Sequence, residues 1–73
     1  DVFSGSFVGV EWINIEVFNR WGERLFFSDQ LDFKWDGTYN GTKVPDGVYT
    51  WKLIYRRNRM QEQQLTGHVT VIK

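Results

Sequence analysis

An Asn19-Arg20-Trp21-Gly22 turn with a β-patterned segment on either side of it decides most of what this chain can become. Over residues 12–18 apolar and polar side chains alternate, with Ile13, Ile15 and Val17 on one face and Asn14 and Glu16 on the other. A period of two marks a half-buried strand. Residues 23–28 are the expected hairpin partner. Phe26 and Phe27 must point to opposite faces, so this second strand is either covered on both sides or exposes one ring.

The same periodicity returns further on. Residues 48–57 form the longest expected strand, with Tyr49, Trp51, Leu53 and Tyr55 on one face, Thr50, Lys52 and Arg56 on the other, and a central place in the sheet. Residues 65–72 close the chain as the last strand, Val69 and Val71 alternating against His68, Thr70 and Ile72. Residues 57–64 are polar, charged and aperiodic, which predicts an exposed hairpin loop. Residues 28–45 read as a looped crossover with at most short strands, because Asp36-Gly37, Asn40-Gly41 and, just beyond, Asp46-Gly47 supply positions that accept positive φ. No window repeats at three to four residues, and the strands are rich in β-branched and aromatic side chains. The expected fold is all-β: a small immunoglobulin-like antiparallel β-sandwich.

Size and charge narrow the function. The 73 residues form a single expected domain, 1–73. A domain this small buries only about 60% of the surface its unfolded chain exposes, so the thirteen aromatic residues must carry much of the core. With no cysteine, neither a disulfide nor a thiolate metal site is available. A formal net charge of zero argues against retention by nucleic acid or anionic lipid through bulk electrostatics. No apolar run is long enough for membrane insertion. The chain opens on Asp1 and its only methionine is Met60, so it reads as a fragment of a larger protein with a cargo domain upstream. Its oligomeric state stays open.

Four short motifs in fixed order carry a resemblance. Asn19-Arg20-Trp21-Gly22 is followed by Phe26-Phe27-Ser28, then Trp35-Asp36-Gly37 with Asn40-Gly41, then Pro45-Asp46-Gly47-Val48-Tyr49, and last Gly67-His68-Val69-Thr70-Val71. No single one is diagnostic, but their order and spacing are. The chain resembles the type B C-terminal sorting domain of the type IX secretion system, also called the gliding-motility-associated C-terminal domain, of Bacteroidetes surface proteins. The family usually opens with a Pro-Asn-Gly-Asp-Gly-Ile-Asn-Asp segment before a Phe, of which Asp1-Val2-Phe3 keeps only the tail, and the resemblance therefore implies that part of the sandwich's first strand is missing. The resemblance implies a non-enzymatic secretion and cell-surface sorting signal, recognised as a folded domain by the outer-membrane type IX translocon. Its cargo would pass through the periplasm and outer membrane to the cell surface or the medium.

Individual residues admit bland and pointed readings. Trp21 with Arg20 is either an exposed recognition knob or, the preferred reading, a lid folded back over the core with Arg20 stacked on it. Tyr49, two residues after Gly47 at a strand start, fits a tyrosine corner whose hydroxyl bonds an upstream backbone group. Trp35 and Trp51 are assigned to the core. Asp29, Asp32, Asp36 and Asn40 bring calcium to mind, but their spacing is not that of a calcium loop. Asp and Asn ahead of glycine ordinarily shape turns, so no metal or other cofactor is expected. His68 has no catalytic partner in the pattern, and no serine sits in a nucleophile elbow. Lys52, Arg56, Arg57 and Arg59 around Tyr55 suggest a basic patch, and strand-edge charges that discourage aggregation explain it sufficiently.

The expected recognition surface is therefore Arg20 and Trp21 together with Gly67, Val69, Val71 and Lys73 of the terminal strand, whose edge offers itself to a partner strand. Asn19, Gly22, Trp35, Asp36, Gly37, Gly47 and Tyr49 are expected to shape the scaffold. The rival expectation is an adhesion or carbohydrate-binding module in which Trp12, Trp21 and Tyr39 form a coplanar row that stacks on sugar rings. No convergent acid, base or nucleophile supports an enzyme.

Overall fold

The computed structural model describes residues 3–57 and 59–72, so Lys73 of the expected recognition surface lies outside the described residues. Eight strands follow in order: β1 (Phe3–Ser4), β2 (Val10–Phe18), β3 (Arg24–Ser28), β4 (Lys34–Trp35), β5 (Thr38–Tyr39), β6 (Thr42–Lys43), β7 (Gly47–Arg57) and β8 (Glu62–Val71). The main layer is a four-stranded antiparallel sheet in the order β3-β2-β7-β8. The second layer is slight. It consists of the β1–β4 pair, the β5–β6 hairpin and their connecting loops.

Alternation dictates which side chains meet. Ile13, Ile15 and Val17 stand opposite Tyr55, Leu53 and Trp51 across the β2–β7 ladder, and Val17 also stands opposite Phe26 of β3. These residues form the inner face, onto which Phe33, Trp35 and Val44 of the second layer close. The buried core falls into two groups, Val17, Trp35, Val44, Tyr49 and Val71 at one end and Ile13, Ile15, Phe33 and Leu53 at the other. Phe3, Phe26 and Trp51 touch both groups and join them.

The outer face is polar and solvated. Glu16 sits between Arg24 at 3.1 Å and Lys52 at 3.8 Å, and Phe27 is the exposed ring of β3, with the Arg24 guanidinium 5.3 Å from its centroid. Near the far end of the sheet Arg56 pairs with Glu11 at 3.9 Å. Two of the four cations of the suspected basic patch, Lys52 and Arg56, are thus matched by carboxylates.

The observed strands depart from expectation chiefly at the β7–β8 hairpin. Residues 62–64, expected in a loop, are already β8, pairing with Arg56, Tyr55 and Ile54. The long β7 supplies backbone partners there, and an edge strand facing solvent needs no apolar alternation to keep its ladder. The crossover is organised by turns. Asn40 and Gly41 both adopt positive φ, +54° and +81°, as the two-residue loop of the β5–β6 hairpin demands.

Candidate functional site

The β2–β3 turn is built around one side chain. Asn19 Oδ1 accepts from the backbone N–H groups of Trp21 and Glu23, each at 2.9 Å, while Asn19 Nδ2 donates to Glu23 Oε1 at 3.0 Å. The Gly22 N–H closes the turn on the Asn19 carbonyl at 3.0 Å, with Gly22 at φ +83°. A β-carbon is disfavoured in that conformation, which is the physical reason for the glycine. The resulting rigid tip projects Arg20 and Trp21 outward.

Trp21 is 76% exposed, with the Arg20 guanidinium 4.4 Å from its ring centroid. The stacking is as expected, but the ring stands in solvent and not, as the preferred reading has it, over the core. Trp21 does not fold back over the core: the Asn19 clamp holds the turn with the ring in solvent, and Tyr39 donates from its hydroxyl to Glu23 Oε2 at 3.3 Å on the turn's other arm.

The Pro45-Asp46-Gly47-Val48-Tyr49 segment faces this turn. Tyr49 Oη donates to the Pro45 carbonyl at 2.6 Å and so forms the expected tyrosine corner. Trp35, 2% exposed, donates from Nε1 to the Thr38 carbonyl at 3.0 Å. Asp36 Oδ1 accepts from both the Thr38 hydroxyl, at 2.6 Å, and the Thr38 N–H, at 3.1 Å. The hydroxyl bond is the chief reason its carboxyl lies below the ordinary carboxylate range. The Gly37 carbonyl accepts from Val44 N–H at 2.9 Å, which brings the chain round to Pro45.

These motifs converge on a single cleft of about 310 Å³, between the Asn19–Gly22 turn, Tyr39 and the Pro45–Tyr49 segment. Trp21, Tyr39, Leu25 and Val48 give it apolar and aromatic walls; Arg20, Glu23 and Asp46 put charge at its margins. The arrangement suits docking by aromatic and arginine anchors. Trp12 is not part of it. It pairs in register with Arg56 near the opposite end of the sheet, about 20 Å along β2 from Phe18 at the usual rise per residue, so the row of Trp12, Trp21 and Tyr39 does not form.

The terminal strand contributes differently from the turn. Val71 is buried, Val69 is half-buried against the core, and Gly67 lies beneath the Trp51 indole. What β8 offers a partner is its main-chain edge, since it is the last strand of the sheet. Among the described residues no three His, Cys, Asp or Glu side chains gather in a way that would hold a metal. Glu23, which ties the turn to Tyr39, was not singled out from the sequence. The signal was there in the five-residue Asn19-to-Glu23 hairpin tip with its penultimate glycine.

The family model described as the CHU_C type IX secretion signal domain matches residues 4–71. No curated protein and no solved structure matches the chain.

Proposed function

This chain belongs to the type IX secretion signal domain family, and on that premise we propose that it is a non-enzymatic sorting signal, read in its folded form by the outer-membrane translocon. As a secretion signal it directs the protein that bears it toward the cell surface or the surrounding medium. The finer reading is that the folded shape itself is the address. Cargo crosses the inner membrane, the domain folds in the periplasm, and the translocon docks on it before export.

The observation that supports this reading most is the convergence of two distant motifs, Asn19 to Gly22 and Pro45 to Tyr49, on one cleft rimmed by a 76% exposed tryptophan. Trp21, Tyr39 and Val48 are all exposed around this cleft, and a contiguous apolar cluster with an arginine at its margin suits docking. An unfolded signal peptide would need neither the Asn19 clamp nor the tyrosine corner.

The test is a fusion. The domain is placed behind a periplasmic reporter in a bacterium that carries type IX secretion, and reporter is measured in the periplasm, at the surface and in the medium. Export that is lost both when Trp21 is removed and when folding is destroyed through the core supports docking on a folded surface. Export that survives a core change which abolishes folding would overturn it. Retention in the periplasm together with glycan binding would select the adhesion reading.

A further inference from the structure

The four-stranded sheet ends on β8, and that edge lacks the devices that ordinarily keep an edge strand to itself. It is ten residues long, in unbroken register with β7, and contains no proline. From Gln63 to Val71 it carries no carboxylate, ammonium or guanidinium group. The opposite edge, β3, has five residues, begins on Arg24 and pairs with a register shift. A long, regular, neutral edge is a template for another strand.

The inner side of the same edge carries a second feature. An added Cβ at Gly67 would lie 2.5 Å from Trp51 Cζ2 and 3.0 Å from Trp51 Nε1, so the half-buried indole occupies the place of a side chain on β8. Leu65, two residues away on the same face, is 50% exposed. At its other end the edge joins the candidate cleft, because Thr70 and Val71 pair with Val48 and Gly47, both of which line it.

We propose that β8 is a strand-addition site for an extended, uncharged segment of the export machinery. That segment alternates apolar and polar residues, pairs with the β8 main chain, and sets a large apolar side chain over Gly67 against Trp51. The proposal rests on the sorting reading and names how the partner is held. The neutral edge selects a neutral strand, since a charge buried there would find no counterion. A second copy of this chain is a poor occupant. Ten paired residues make a strip of about 33 Å by about 10 Å, well short of the roughly 800 Å² per partner of a stable interface. A partner that also grips the Trp21 cleft supplies the remaining area.

Consecutive N–H groups of an edge strand point alternately to its neighbour and to solvent. Of Leu65→Pro and Thr66→Pro, therefore, one breaks the β7 ladder and lowers the melting temperature, and the other keeps it and blocks only an incoming strand. In the reporter fusion the thermally unchanged variant is expected to lose export about tenfold. If both proline variants unfold, Leu65→Lys, which puts a charge on an exposed residue of the edge, decides by a several-fold loss of export at native stability. A wild-type fusion that is not exported removes the sorting reading and this proposal with it. A wild type that is exported alongside an equally exported, folded edge variant overturns strand addition alone. A purified domain that is dimeric at micromolar concentration and monomeric once the edge is blocked assigns β8 to a second copy and also overturns it.

Discussion

The Tyr49 hydroxyl donates to the Pro45 carbonyl at 2.6 Å, across the bend where the crossover enters the longest strand. This bond fixes one wall of the cleft against the start of β7. Tyr49→Phe keeps the ring's packing on Trp35, 5.8 Å away, and removes the bond alone. The expected cost is about 1 kcal/mol, a fall in melting temperature of about 4–8 °C for a domain of this size. Thermal unfolding followed by circular dichroism checks it, and no change would show that the bond contributes nothing net.

Trp21 and Asn19 should separate recognition from folding. Trp21→Ala removes an exposed ring and is expected to shift stability by no more than about 0.5 kcal/mol, while export of the fusion falls steeply. Asn19→Ala deletes three hydrogen bonds at the hairpin tip and should cost about 1–2 kcal/mol, with export falling because the tip no longer holds its shape. Urea unfolding of the two variants beside the export assay tests the division. A Trp21→Ala variant exported like the wild type would remove this residue from the docking surface.

Gly67→Ala puts a methyl group where the Trp51 indole already lies. Overpacking of that kind costs about 1–3 kcal/mol. The near-ultraviolet circular dichroism of the indole should change as well, because the ring must move. Unchanged stability and spectrum would mean that the ring leaves Gly67 freely.

Asp36 predicts an acid limb. Its carboxyl titrates below the ordinary 3.8, first because the Thr38 hydroxyl donates to the carboxylate. A depressed folded-state value stabilises the fold above the unfolded value and loses that effect as pH falls through the folded one. The difference in urea midpoint between wild type and Asp36→Asn should be constant from neutral pH down to about pH 5 and shrink progressively as pH falls further through 3.8 and the lower folded-state value. A difference that persists unchanged into stronger acid would show that ionised Asp36 is not the cause.

Strands and turns were legible wherever the cause is local. Ile13, Ile15 and Val17 announce a half-buried strand by their spacing, and they lie on the inner face. Tyr49 was placed at a corner by its distance from Gly47, and Asn40-Gly41 forms a two-residue hairpin loop because both residues tolerate positive φ. The start of β8 is not legible in the sequence, because residues 62–64 owe their strand to the length of β7 and not to any pattern of their own. The direction of Trp21 is not legible either. An indole beside a cation in a turn has the same composition whether it packs inward or stands in water, and only the folded turn shows that the ring stands in water.

Alternating side chains and the glycine and asparagine turns were enough to determine an all-β chain, its long strands and its family motifs, since each reports the conformation of its own few residues. Tertiary structure alone decided that Asn19 to Gly22 and Pro45 to Tyr49 share one cleft, that Trp51 lies over Gly67, and that β8 forms an open edge. Those facts depend on strand order and on register between distant segments, and a period of two is the same for every partner a strand could take.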